Sequence, residues 1–356
     1  DSMLETIRSF GMAMLEASGE LLAVQQLHAL HVLELAESGD RHLHGANQLM
    51  WLARLEQERS NLRAGWEWTL HHQPDWAYRF ACALAWFWSL RGGWHEGRAR
   101  FERVLAVSGT SRWLEARARV CRAELEVDSG SPQDGTSAMI SDAREICREL
   151  GDSVGLGRLQ LAEAKLAAHR DLVGSVVSLA SSASQTLETE TEPWHAAQAL
   201  IVLGEAQFFA AGVDVAEPCF AAALEKFRTL GDRWGMSGAL KYQGEMVGLK
   251  GHPKRAVKLI EESLVLARQM GDQGSLVGSV ASSEVFLGRT LCRLGRYAAS
   301  RASLERAIDI YRISGNQLGL GWAMANLGHV DLQSGDWSSA RHLIRQSYGL
   351  MPVSYT

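Results

Sequence analysis

Apolar residues recur along most of this chain at steps of three and four, with charged residues between them, which is the pattern of amphipathic helices. Between Lys258 and Arg268, for example, Leu259, Leu264 and Leu266 fall among Lys258, Glu261 and Arg268. No clear valine- or isoleucine-rich run alternates at a period of two, and only 6 prolines in 356 residues interrupt the helical pattern. The pattern predicts an all-α chain.

Two series of breaks punctuate these helices at a regular period. One reads Leu150–Asp152, Leu230–Asp232, Met270–Asp272 and Ser314–Asn316, with its glycines at 151, 231, 271 and 315, hence 80, 40 and 44 residues apart. The second lies between, near Gly93, Gly130, Asp171, Gly212, Gly251, Gly295 and Gly335. Two breaks per period of about 40 residues define a repeated helix-turn-helix unit, and stacked units of that kind form an α-solenoid. The glycine-rich stretch Thr229–Leu240 has the look of a phosphate-binding turn, but a phosphate loop would not recur every 40 residues. Gly231 is therefore read as a left-handed helix terminator, Asp232 as the cap of the next helix and Trp234 as a repeat-packing residue. Gly271 to Gly288 is 17 residues where Gly231 to Gly244 and Gly315 to Gly328 are 13, so the first helix of that unit is expected to be about one turn longer.

Two resemblances follow from particular motifs. Asn326–Ser347, with Leu-Gly in its first helix, Gly-Asp-aromatic at the turn and Ala340 in its second, resembles a tetratricopeptide repeat; Phe286–Ile308 repeats the pattern with Leu287, Gly288, Gly295, Tyr297 and Ala307. Met3–Glu20, His28–Glu37, Trp51–Trp68 and Phe87–Leu105, in that order, resemble the region after the winged-helix part of bacterial signal-transduction ATPase (STAND-type) transcription regulators of the LuxR and antibiotic-regulator kind. The resemblance implies a right-handed α-solenoid of tetratricopeptide-like helix pairs. Residues 1–72 would form a helical lead-in following a winged-helix and ATPase part, and residues 73–356 an array of about seven pairs. The implied function is a non-catalytic arm that senses a ligand or partner through its concave groove. The opening on Asp1 rather than Met fits a piece of a longer chain.

Composition narrows the partners. The net charge of -5 lacks the basic excess of a dedicated nucleic-acid binder, so no direct nucleic-acid contact is expected. The longest strongly apolar run, Phe80–Trp88, is too short to span a bilayer, and no membrane contact is expected. The 5 cysteines are scattered in apolar helical contexts with no C-x-x-C pair, which fits a reducing cytoplasm. No phosphate loop, nucleophile elbow or H-E-x-x-H helix is present, so neither an enzyme nor a cofactor is expected. His28 with His31 and His42 with His44 are read as surface or packing histidines rather than metal ligands, because no Cys or carboxylate set completes them. The basic stretch Lys250–Lys258 is read as a solvated turn and helix face, since Glu261 and Glu262 follow. Trp194 and Trp234, at equivalent points of their units, are read as repeat packing.

The candidate site comes from aligning the first helices on Ala123, Ala164, Gly204, Gly244, Gly288 and Gly328. The next position reads Glu124, Lys165, Glu205, Glu245, Arg289, His329, all titratable; six residues before the alignment point it reads Arg117, Arg158, Gln198, Gly238, Ser282, Trp322. Positions seven apart share a helix face. The expected groove residues are therefore Arg158, Lys165, Gln198, Glu205, Lys241, Glu245, Arg289, Trp322, Asn326 and His329, with Asn326 equivalent to Tyr242. Charge reversal at Glu245 or Arg289 is expected to weaken binding without unfolding. The expected partners are a small-molecule inducer, a peptide or a protein, with an upstream ATPase domain if the chain is part of a regulator; self-association stays open. The alternatives are a peptide-binding tetratricopeptide receptor and a free-standing scaffold.

Overall fold

The computed structural model describes residues 5–130, 134–168, 173–271 and 275–350. Among them are eighteen helices and no strand. The first four are α1 (Glu5–Ser18), α2 (Leu21–Leu43), α3 (Gln48–Gln57) and α4 (Arg59–His72). Then come α5 (Pro74–Arg91) and α6 (Trp94–Leu105), α7 (Arg112–Asp128) and α8 (Thr136–Leu150), α9 (Ser153–Ala168) and α10 (Val173–Thr189), and α11 (Pro193–Ala211) and α12 (Val213–Leu230). The chain continues through α13 (Arg233–Leu249) and α14 (Pro253–Met270), α15 (Ser275–Arg293) and α16 (Tyr297–Ile313), and α17 (Gln317–Ser334) and α18 (Trp337–Leu350). The architecture is an all-α solenoid.

The turns form as their chemistry dictates. Gly231 closes α12 at φ 74°, a left-handed conformation that only glycine adopts without strain. Asp232 then accepts the Gly235 N–H at 3.0 Å and caps α13, while Asp152 and Asn316 cap α9 and α17 in the same way at 2.8 Å. Inside each unit the first helix lies tightly on the second: a methyl group on Gly288 would come within 2.7 Å of Leu304 on α16. The break expected near Asp171, and the Asp272 part of the Met270–Asp272 turn, lie outside the described residues. α15 has 19 residues against 17 in α13, and residues 272–274, which bear on the expected extra turn, lie outside the described residues.

Layering puts the first helices inside. Among the described residues α7 packs on α9, α9 on α11, α11 on α13, α13 on α15 and α15 on α17, whereas no second helix packs closely on the next. The inner face of the solenoid therefore belongs to the helices on which the candidate residues were aligned.

The N-terminal helices do not simply precede the array. A large core built on Leu33, Trp66, Phe80, Phe87 and Phe101 joins α2–α6 and also takes in Met270 and Leu276 from α14 and α15. The α2–α3 connection seats on the α12–α13 turn, where a methyl on Gly231 would come within 2.8 Å of Ala46 Cβ and Gln48 Oε1 accepts the Trp234 N–H at 3.2 Å. The chain thus closes back on its own middle.

Candidate binding groove

That closure divides the inner face in two. From α5, Trp86 reaches across to Trp194 on α11 (ring centroids 4.8 Å apart) and Trp234 on α13 (5.0 Å), and His44 lies 4.3 Å from Trp194. Trp194 Nε1–H donates to Asp232, the residue that caps α13. The wall bounds an N-terminal chamber of about 280 Å³ between α2, α5, α7, α9 and α11. The packing reading of Trp194 and Trp234 agrees with this structure, although the wall they build spans the molecule rather than one repeat. His44 packs here too, and among the described residues no group of three His, Cys, Asp or Glu side chains could hold a metal ion.

Two ion pairs cross the chamber, while burial pushes the Asp40 carboxyl up to about 6. Arg158 grips Glu124 through two hydrogen bonds of 2.8 and 2.5 Å, and Lys165 donates to Asp128 at 2.7 Å. Burial works against ionisation of Glu124, but the Arg158 guanidinium outweighs it and holds the carboxyl down at about 2. Burial drives His44 down to about 3, so its ring is neutral. Arg158 and Lys165 thus sit on the inner face as expected, but in ion pairs that tie α7 to α9.

Past the aromatic wall the inner face holds two further cavities. One, of about 250 Å³, lies among α11, α12, α13, α15 and α17 and brings together Glu205, Lys241, Glu245, Arg289 and Trp322 of the expected set. Its walls are mainly aromatic: Phe220 stacks on Tyr242 at 5.0 Å, Tyr242 meets Phe286 edge-on at 5.4 Å, and Phe286 meets Trp322 at 5.5 Å. Phe209, 76% exposed, stands at its edge. The other cavity, of about 570 Å³, is lined by Arg289, Arg293, Tyr297, Asn326, His329 and Gln333. Arg289 belongs to both.

Glu205 and Glu245 occupy one repeat position yet differ in kind. Glu245 is buried and meets Arg289 Nη2 at 3.0 Å and Arg293 Nη2 at 2.5 Å. Glu205 has no ion pair or hydrogen bond among these contacts, and burial pushes its carboxyl up to about 7. Lys241 Nζ donates to Ser282 Oγ at 2.9 Å and lies 4.8 Å from the centre of the Tyr242 ring. Asn326 turns its amide inward, donating from Nδ2 to the Trp322 carbonyl at 2.8 Å. Gln198 is buried on α11 and lines none of the three cavities. The expectation for Glu245 needs correction: reversing its charge would bury a cation against two guanidiniums, so that variant unfolds as well as altering the groove. Sequence reasoning missed Phe208, Phe220 and Phe286. Only Phe286 carried a signal, since it occupies the repeat position of Tyr242 and Asn326.

With this geometry in place, the chain can be set beside known proteins. Residues 279–352 match the tetratricopeptide repeat family. A Mycobacterium tuberculosis H37Rv protein named "Putative HTH-type transcriptional regulator" is 25% identical over 281 residues, which cover 76% of this chain and 27% of that protein; its Mycobacterium bovis counterpart matches equally. The chain thus spans about a quarter of the length of these curated relatives. In structure the chain is similar to a Rap protein complexed with competence and sporulation factor (TM-score 0.63, 13% identity, 93% of this chain and 87% of that one). It is also similar to a Signal Transduction ATPase with Numerous Domains from Pyrococcus horikoshii with a tetratricopeptide repeat sensor (TM-score 0.54, 9% identity, 86% of this chain and 46% of that one). At such identities these likenesses concern the fold. Among the described residues no helix is long and apolar enough to cross a membrane.

Proposed function

We propose that this chain is the non-catalytic, ligand- or partner-sensing repeat arm of a longer bacterial transcription regulator of the ATPase type, and that it binds through the C-terminal half of its inner groove. Residues 1–72 are the lead-in and residues 73–356 the array in this reading, and the whole works in the cytoplasm. The observation that carries it is the convergence of five residues, all on first helices, on one aromatic-lined cavity beside a second, larger one. Arg158 and Lys165 in the N-terminal half are held in ion pairs across α7 and α9, whereas the C-terminal half sets its charged groups against an aromatic wall. Support for the regulator context comes from the match to HTH-type regulators and from the likeness to a repeat sensor attached to an ATPase. Sensing requires that the ligand prefer one arrangement of the array, and the contact of the lead-in with the α12–α13 turn is an element whose position such a preference could bias.

The test is a thermal-shift screen of the chain against sugars, nucleotides and short peptides, followed by calorimetry of each hit on the wild type and on Arg289→Glu. A ligand that binds the folded state alone raises its melting temperature by mass action. At least one hit should lose tenfold or more of its affinity in the variant. Hits that bind Arg289→Glu as tightly as the wild type would remove the groove from the account.

A further inference from the structure

The aromatic cavity of the groove has a chemistry that narrows its ligand further. Its space is built by sequence. Six residues before the alignment glycine, α17 carries Trp322, whereas α13 and α15 carry Gly238 and Ser282. Ser282 and Trp322 both line the cavity, the small side chain leaving room that the large one bounds. Beyond it stand Tyr242 and Phe286, with Trp322 closing one end against Phe286. Phe209 at the mouth leaves a large apolar ring in water, which a bound apolar group would cover.

Charge selects among apolar ligands. Lys241 and Arg289 line this cavity with two carboxyls, Glu205 and Glu245, and Arg293, outside the lining, holds Glu245 through two hydrogen bonds. Glu245 is shared by both arginines, and Arg289 reaches it through Nη2 alone, leaving its other N–H donors available. Three cations against two carboxyls leave positive charge unmatched. Burial also raises the Glu205 carboxyl to about 7, so at neutral pH it offsets less than one full charge. Groups that would hold an extended peptide backbone are spent within the fold. Asn326 is bonded to its own helix, Gln198 is buried, and Lys241 is held by Ser282.

We propose that this cavity binds a small apolar monocarboxylate, its hydrocarbon part against Tyr242, Phe286 and Trp322 and its carboxylate on Arg289. The inference rests on the groove reading above and specifies its ligand. A guanidinium with free donors pairs a carboxylate by parallel hydrogen bonds, and the low polarity of the aromatic walls strengthens that pair. The volume of about 250 Å³ suits a single ring with a short side chain.

The experiment is isothermal titration of the chain at pH 7 with three probes of one skeleton: 3-phenylpropionate, 3-phenylpropanol and 3-phenylpropylamine. The acid should bind at least tenfold more tightly than the alcohol, and the amine most weakly. Trp322→Ala removes the apolar wall at one end of the cavity and should weaken binding of the acid at least tenfold. Arg289→Gln leaves Glu245 paired with Arg293, so it should fold, and should bring the acid to the affinity of the alcohol. Equal binding of acid and alcohol, preference for the amine, or unchanged binding by Trp322→Ala would overturn the proposal. Should no probe bind while a sugar, nucleotide or peptide from the screen binds in an Arg289-dependent way, the ligand assignment fails and the groove reading stands.

Discussion

Glu205 and Glu245 look interchangeable in sequence, one residue after the alignment glycine of successive first helices. The structure separates them. A partner from the next first helix reaches Glu245, whereas Glu205 is half-buried without an ion pair, with Lys241 and Lys165 as neighbouring cations. Position on a helix face follows from spacing and was legible. Pairing depends on which side chain the adjacent helix presents, and no spacing rule carries that. The difference has a consequence for pH. The folded-state carboxyl of Glu205 lies near 7, above its ordinary value of 4.5, so between these values the native chain holds a proton that the unfolded chain has released. Its contribution to stability is therefore lost as pH rises from about 4.5 through 7. In urea titrations at pH 5 and pH 8, Glu205→Gln should remove part of the wild type's loss of stability between the two. A variant with the same pH dependence as the wild type would show that Glu205 is as well hydrated as a surface carboxylate.

Among the elements, the α12–α13 turn bears the most connections. Its glycine and its capping aspartate were both readable, because the same terminator and cap recur at Gly151–Asp152 and Gly315–Asn316. Its wider role was not. Asp232 also accepts from Trp194, and Gly231 leaves room for Ala46 of the α2–α3 connection, a contact across 185 residues that no local pattern announces. A β-carbon at Gly231 would force a non-glycine residue to a left-handed φ, costing about 1–2 kcal/mol, and would also press on Ala46. Gly231→Ala should therefore destabilise the chain by more than that backbone cost in urea unfolding, and should shift Trp234 emission toward longer wavelength as the α2–α3 connection lifts away. A loss within the backbone cost and an unchanged emission would mean that the lead-in is held elsewhere.

At the scale of the molecule, period and helix patterning made the solenoid legible, and the inner position of the first helices follows from their packing. The closure of α2–α6 onto α12–α15 was not legible, since it rests on shape and on a few aromatic side chains far apart in sequence: Trp86, Trp194 and Trp234. That closure is what splits the stripe of charged and polar residues into an N-terminal chamber and an aromatic groove. Seven of the ten expected site residues line the two cavities of the C-terminal half, and Arg158 and Lys165 line the N-terminal chamber. The central claim is that the C-terminal half is where this chain meets its ligand. Hydrogen exchange followed by mass spectrometry, on the chain with and without the tightest-binding compound or peptide from the screen, tests it directly. Slowed exchange concentrated in α11, α13 and α15 is the predicted result. Protection confined to the outer helices α12, α14 and α16, or to the walls of the N-terminal chamber, would contradict it.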